Sequence, residues 1–339
     1  MSNVIMLEQP TKFDMYSLEA LDAVERLMMM LARGERLEYA GSMVQEHLET
    51  GGKRLRARLA LASTDALGGN VHTAVHWAAA VELLHNATLI HDDIQDGDVV
   101  RRGHPTTWVN HGKAQAINAG DLMLMLPFLS LSRMNCHDKI RWLLSWRLAD
   151  QAAQTVRGQV EELEIVKAQT VTRDSYFRSV RGKTGGFFAL PVEGGALLAG
   201  IEEKEALSLG ACFLELGTLF QIQDDILDLY GNKGRKLLGA DIYEGKPSIL
   251  VLNHLEKHPE ESQMVWDILS KPRLHTEEKE VLSLIKRFEE SGALAASISD
   301  IQKCKATLFS QDILYGYPKL FSLLKNMVHL ALKPIERLL

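Results

Sequence analysis

Apolar residues recur at spacings of three and four along nearly the whole chain, the signature of one-sided helices. The periodic runs cover roughly 16–33, 38–49, 54–67, 72–97, 112–133, 138–168, 173–198, 203–230, 247–257, 260–270, 276–291, 294–311 and 318–337. Nothing alternates with period two for long enough to argue a sheet. Breakers fall between the runs, at Gly51-Gly52, Gly68-Gly69, His104-Pro105, Gly231 through Gly239, and Lys271-Pro272. The stretch Gly182–Gly200 is rich in Gly and carries Pro191, which predicts a kinked helix. No Ser- or Gly-rich linker and no repeat divides the chain, so the expectation is one all-α domain over residues 1–339.

Two of the helical runs end in acid. DDIQD occupies Asp92–Asp96 and DDILD occupies Asp224–Asp228. Carboxylates at i and i+4 point the same way from a helix. The first stripe reads Trp77, Val81, Leu84, Thr88, Asp92, Asp96, apolar below and acidic above. The second reads Phe213, Gly217, Phe220, Gln221, Asp224, Asp228, in the same order of polarity. Two such faces aimed at each other carry more negative charge than they tolerate alone, and hard divalent cations with oxygen ligands resolve it. An amphiphile with an anionic head and a hydrocarbon tail fits that lining. An aromatic ring such as Phe213 or Phe220 near such a site can face a transient carbocation.

Basic residues flank the acids. Arg101 and Arg102 follow the first cluster, and His85 lies seven residues before Asp92 on nearly the same face. The loop GNKGRKLLGADIYEGKPS follows the second cluster and supplies Lys233, Arg235, Lys236 and Lys246 beside Asp241. A basic loop of this kind can close over phosphates. Lys53 and Arg56 share a face at a predicted helix start, a good place for an anion. Lys183 and Thr184 sit in the Gly-interrupted segment RGKTGG, where backbone carbonyls and a hydroxyl can face a pocket.

Bulk composition narrows the partners. The 339 residues are 46% hydrophobic and 24% charged, which argues for a packed core. A net charge of −6 argues against nucleic acid, so substrate phosphates must be met by local cations. Three widely spaced cysteines, Cys136, Cys212 and Cys304, with no CxxC pair, read as reduced thiols of a cytoplasmic protein. The N-terminal residues lack a basic start followed by an apolar core, so no signal peptide is expected. The longest uncharged apolar run, Leu122–Ser132, contains Pro127 and is too short for a membrane span.

In order and spacing, GGKRLR, LLHNATLIHDDIQD, RRGHPT, GKTGG, FQIQDDILD and GADIYEGKPS resemble the trans-isoprenyl diphosphate synthases, or polyprenyl synthetases. The resemblance is strong over about residues 40–255; residues 256–339 fit as additional helices. It implies an all-α isoprenoid synthase bundle around a deep central cavity, a homodimer, and head-to-tail joining of an allylic diphosphate to isopentenyl diphosphate. By position it implies Mg²⁺, three ions with bound diphosphate, held by Asp92 and Asp96 and by Asp224, with Asp225 and Asp228 nearby. It implies allylic diphosphate contacts from Arg101, Lys183, Gln221, Lys236 and Lys246, and isopentenyl diphosphate contacts from Lys53, Arg56, His85 and Arg102. Lys183, Thr184 and Gln221 fall where carbonyls and a hydroxyl stabilise the allylic cation. The proline that follows the KRLR motif in the family is Ala57 here, which changes a helix-start preference and no ligand.

Product length follows from the stripe under Asp92. Members of the family that stop early carry bulky aromatics four or five residues before the first Asp, where this chain has Thr88 and Ala87. At 1.5 Å per residue, Leu84, Val81 and Trp77 lie roughly 12, 16 and 22 Å below Asp92. A tail of about four isoprene units ends in that range, so the expected product is geranylgeranyl diphosphate (C20), with C25 or longer as the alternative. A class I terpene cyclase and a non-catalytic partner subunit are two further readings. The intact DDILD and isopentenyl-side residues weigh against the first, and two intact aspartate motifs against the second.

Overall fold

The periodic runs fold as helices joined by short turns. In the computed structural model, which describes residues 18–34, 38–231 and 238–339, the order is α1 (Leu18–Arg33), α2 (Tyr39–Glu49), α3 (Leu55–Ala66), α4 (Val71–Asp96), a hairpin β1 (Val100–Arg101) and β2 (His104–Pro105), α5 (Thr107–His111), α6 (Lys113–Ser132), α7 (Asp138–Ala168), α8 (Arg173–Val180), a π turn (Arg181–Gly185) and α9 (Gly186–Leu198). Then come α10 (Glu203–Ala211), α11 (Leu214–Tyr230), α12 (Ala240–Tyr243), α13 (Ile249–Lys257), α14 (Ser262–Leu269), α15 (Glu278–Glu290), α16 (Ala293–Phe309) and α17 (Pro318–Leu332), with short 3₁₀ turns among the C-terminal helices. The all-α expectation holds.

Three local differences matter for the site. The irregularity expected within Gly182–Gly200 begins earlier, as the π turn Arg181–Gly185, and Pro191 is carried inside α9. The run 203–230 is broken between α10 and α11, where the Phe213 amide donates to the Gly210 carbonyl at 2.8 Å and the chain turns. Apolar periodicity continues through that turn, so the break leaves no mark on the pattern. The hairpin was not expected, because strands of two residues have no period to read. Its turn has positive φ at Arg102 (53°) and Gly103 (82°), the backbone of a tight two-residue hairpin loop.

Contacts group the chain into two units, with three helices contributing residues to both. The first takes the described residues up to Ile94, then Asp98–Ser145 and Gly194–Ile201. Its interior is built on Met28, Met43, Leu48, Leu59, Trp77, Leu83 and Ile90, all fully buried. In it the Gly194 backbone lies close against the Trp77 indole, where an added Cβ would stand 2.0 Å from the ring. The second unit takes Gln95–Gly97, Trp146–Glu193 and Glu202–Leu339. Within it α11 packs against the π turn and α16 over a core of Phe187, Phe188, Phe213, Trp266 and Phe288. The three cysteines are free thiols. By length and composition Lys113–Ser132 and Glu203–Tyr230 reach what a membrane span requires, yet 44% and 56% of those stretches is buried inside protein.

Candidate functional site

The second acidic motif divides its labour. On α11, Asp224 is exposed while Asp225 and Asp228 are buried. Asp225 accepts hydrogen bonds from the Tyr176 hydroxyl (2.8 Å), the Gln221 amide (2.9 Å) and the Ile249 N–H (2.8 Å). Burial pushes its carboxyl above the usual range, although all three donors work against that shift. Asp228 accepts the Asp241 N–H at 2.9 Å, anchoring the start of the short α12. One carboxylate of the three is thus presented outward, and the other two hold α8, α12 and α13 in place around it.

Gln221 links this motif to the π turn. Its side-chain oxygen accepts from the Thr184 hydroxyl at 3.3 Å, while its amide reaches Asp225. The π turn approaches α11 closely because Gly217 has no side chain: a Cβ there would lie 2.5 Å from the Gly185 Cα and 2.9 Å from the Thr184 carbonyl oxygen. Gly158 allows the same approach from α7, where a Cβ would meet the Lys183 amide nitrogen at 2.7 Å. Single-turn π segments widen a helix and redirect its carbonyls, and they recur at functional sites. Lys183 reaches Glu162 at 3.2 Å. On the apolar side Phe220 stacks on Phe188 with ring centroids 4.9 Å apart, and Phe213 is fully buried.

Asp96, the last acid of the first motif, belongs to this same unit. Lys246 donates to it at 2.8 Å and pairs with Glu244 at 2.8 Å. Burial alone would lower the Lys246 pKa, but Asp96, Glu244, Asp241 and Glu162 outweigh it and hold the ammonium well above its usual range. Sequence reasoning placed Asp96 and Lys246 at the site, and the structure brings them together; it did not foresee Glu162, Glu244 or Tyr176. Lys236 falls outside the described residues.

In the first unit Asp92 is half-buried, and Asp93 is buried against Arg101 at 2.6 Å. Burial raises the Asp93 carboxyl to about 6, with Arg101 opposing and Asp98 and Asp92 adding to the rise. Burial likewise disfavours the Arg101 charge, and Asp93, helped by Asp98 and Asp92, more than compensates. These two line a pocket of about 260 Å³ with His47, Thr50, His104, Thr106 and Thr107 among its walls. Arg102 turns the other way. Its guanidinium donates to the Gly51 carbonyl and lies over Gly52, where a Cβ would stand 2.8 Å from Cζ. Nearby, α3 begins from Arg54, itself in the left-handed region at φ 48° and tied to Glu25 at 2.5 Å. Lys53 is exposed just before it, and Arg56 lies in its first turn, its pKa lowered by burial and by Arg102 and raised by Glu82. Desolvation, then Arg56, Arg102, Arg101 and His47, pushes His85 well below its ordinary value, so the imidazole is neutral at pH 7. Arg56, His85 and Arg102 thus belong to one neighbourhood, and Lys53 precedes Arg56 by three residues in the chain. His47, from α2, was missed by sequence reasoning; an unremarkable histidine in an amphipathic helix carries no signal.

Along α4 the stripe below the acids is interior. Trp77, Val81, Leu84 and Ala87 are buried, and Thr88 is partly accessible, its hydroxyl bonded to the His85 carbonyl. Within the second unit Asp96 and Asp224 are accessible carboxylates, and within the first Asp92 is half-buried; each offers oxygen donors of the kind a hard cation such as Mg²⁺ takes. Among the described residues no three His, Cys, Asp or Glu side chains are gathered tightly enough to hold an ion unaided.

Known proteins resemble this chain in sequence and in fold. A geranylgeranyl diphosphate synthase of Methanosarcina mazei is 32% identical over 306 residues, 88% of this chain and 90% of the relative. A short chain isoprenyl diphosphate synthase of Methanocaldococcus jannaschii is 34% identical over 278 residues, 81% and 83% of the two chains. The crystal structure of a geranylgeranyl pyrophosphate synthetase from Pyrococcus horikoshii superposes with a TM-score of 0.82 at 26% identity, covering 94% of this chain and 98% of that one. A decaprenyl diphosphate synthase from Rhodobacter capsulatus gives 0.78 at 26% identity, with 94% and 98% covered. The Polyprenyl synthetase family model matches residues 17–286, and the chain belongs to that family of isoprenyl diphosphate synthases.

Proposed function

We propose that this enzyme condenses an allylic diphosphate with isopentenyl diphosphate, head to tail, and that its main product is geranylgeranyl diphosphate. The observation that carries the reading is the Lys246–Asp96 pair, which ties the end of the first acidic motif to the loop that follows the second.

On this reading Asp92 and Asp96 of the first motif and Asp224 of the second are the residues that would hold Mg²⁺ when the substrate diphosphate is bound. When bound, the ions neutralise the departing diphosphate and ease cleavage of its C–O bond. Arg101, Lys183 and Lys246, with Lys236 by its place in the sequence, grip the allylic diphosphate, and Gln221 orients it. Thr184 and the carbonyls of the π turn face the allylic carbon and stabilise its developing positive charge. Lys53, Arg56 and Arg102 hold isopentenyl diphosphate through charge, while neutral His85 contributes a hydrogen bond. The double bond of isopentenyl diphosphate attacks the cation, and the released pyrophosphate takes the proton.

The growing tail runs along Ala87, Leu84 and Val81 toward Trp77. Small side chains at Thr88 and Ala87 admit it, and the Trp77 ring ends it. The small residues also keep C25 or longer as the second reading. A homodimer is the proposed working form; exposed Ile117, Met125 and Leu129 on α6 support it. Purified protein given Mg²⁺, farnesyl diphosphate and isopentenyl diphosphate is expected to release a C20 diphosphate by mass spectrometry. A predominantly C25 or longer product would overturn the length assignment, and no prenyl product at all would overturn the activity.

A further inference from the structure

The run WAAAVELLHNATLI, Trp77–Ile90, contains one carboxylate, Glu82, and it is 2% exposed. A buried carboxylate is costly unless it is paired and hydrogen-bonded. Glu82 has both kinds of partner. One oxygen accepts the Ala57 N–H at 3.1 Å, and the other accepts the Asn86 amide at 3.3 Å. Asn86 also donates to the Glu82 carbonyl at 2.8 Å, which fixes it against the same turn of α4. Arg56 and Arg102 both gain from the Glu82 charge.

Ala57 lies in the first turn of α3. The residue before that helix, Arg54, is in the left-handed region and makes no side-chain cap. An orphan amide at the helix start is therefore satisfied from outside, by a carboxylate on α4. Arg56 sits one residue earlier in the same turn. Arg102 disfavours the Arg56 charge, and Glu82 favours the charge of both guanidiniums, joined at Arg102 by Asp93.

We propose that Glu82 is the positioning residue of the isopentenyl-side basic cluster: it sets where α3 begins and holds Arg56 and Arg102 at the spacing that receives one diphosphate. The proposal rests on the function above but concerns one of its two substrates. Glu82 touches neither reacting carbon. Its removal perturbs capture of isopentenyl diphosphate and leaves the allylic half of the site, on α11 and the π turn, as it was.

The test compares Glu82→Gln with Glu82→Asp, each checked for native circular dichroism. Gln keeps an acceptor for the Ala57 amide and loses the charge; Asp keeps the charge. Glu82→Gln is expected to raise the KM for isopentenyl diphosphate about tenfold, the scale of a lost charged hydrogen bond, with the allylic KM within about twofold. Glu82→Asp is expected to recover most of that loss. An unchanged or lowered KM for isopentenyl diphosphate in Glu82→Gln would overturn the proposal, the lowered value marking an anion that merely repels substrate. Equal rises in both KM values would overturn it too, marking a general structural role. Wild-type turnover in the same assay tests the proposed function separately.

Discussion

Lys246 Nζ stands 2.8 Å from the Asp96 carboxylate although the two residues are 150 positions apart. The lysine is surrounded by acids: Asp96, Glu244, Asp241 and Glu162 all raise its pKa. It therefore stays charged throughout the useful pH range and serves two ends. It restrains mutual repulsion among carboxylates, and on the proposed function it is also a cation for the allylic diphosphate. Lys246→Ala is expected to raise the allylic KM about tenfold or more, since a charge-assisted contact is lost while Asp96 is left without its partner. Steady-state kinetics with each substrate varied in turn checks this; an unchanged allylic KM would remove Lys246 from the diphosphate site.

The neighbours Asp224 and Asp225 should fail in different ways. Asp224 is exposed and Asp225 is bonded to three donors from three elements. Asp224→Ala is expected to lower turnover by about two orders of magnitude or more with the unfolding midpoint little changed. Asp225→Ala strands Tyr176, Gln221 and the Ile249 amide, and is expected to cost about 3–5 kcal/mol of stability. Denaturant titrations beside rate measurements distinguish the two. Equal stability loss in both variants would contradict the division of roles.

Gly52 should be needed for isopentenyl diphosphate in particular. Its φ of +132° is poor for any L side chain, and a Cβ would press on the Arg102 guanidinium at 2.8 Å. Because the arginine end is flexible, Gly52→Ala displaces it more readily than it unfolds the chain. The expected result is a KM for isopentenyl diphosphate raised about tenfold, with the allylic KM within about twofold. A variant kinetically like the wild type would show that Arg102 does not act from this position.

Much of this is legible in the sequence, because helical periodicity is strong over long segments and acids ending an apolar stripe are a rare pattern. The i, i+4 spacing points to Asp92 with Asp96 and to Asp224 with Asp228; the structure leaves Asp92, Asp96 and Asp224 accessible but buries Asp228 against the Asp241 N–H and Asp225 against three donors, partners that no local pattern shows. What stayed hidden depends on side chains meeting from remote segments. Tyr176 and Glu162 have no local signature, and the break at Phe213 is caused by packing that the apolar period runs through. Glu82 did leave a trace, a single carboxylate in a turn of helix otherwise apolar, but its role is visible only once the Ala57 amide is found beside it.

His47, in the wall of the pocket that Asp93 and Arg101 line, offers a pH test. Burial, then Arg102 and Arg101, with a smaller part from Arg54, lower its pKa to about 3; Asn86 opposes. The folded protein thus refuses a proton that the unfolded chain accepts below about pH 6.5. Stability from the neutral imidazole is complete above that value and is lost as the pH falls toward about 3. Asp93 acts in the opposite direction: its raised carboxyl favours the folded state at low pH, and that advantage fades as the pH rises toward about 6. The difference between wild type and His47→Asn isolates the histidine. Unfolding free energy of the variant should rise less between about pH 4 and 6.5 than that of the wild type. Parallel curves would show that His47 is not desolvated.

Product length should respond to Gly194 as well as to Trp77. The indole is fully buried and rests on the Gly194 backbone, where a methyl group would stand 2.0 Å from the ring. The backbone there is helical, so Gly194→Ala is disfavoured by contact with the ring and by nothing in its own conformation. The ring must move, and overpacking of this kind costs about 1–3 kcal/mol. If the tail ends at Trp77, a ring pushed away from α9 enters the path of the tail, and Gly194→Ala shifts product toward C15. Trp77→Ala opens the same place and shifts product toward C25 and longer. Chromatography of the dephosphorylated alcohols reads both shifts in one assay. Opposite shifts from the pair identify the ring as the end of the path. If both variants fold and keep the wild-type distribution, the tail stops elsewhere and the Trp77–Gly194 contact is a feature of packing alone.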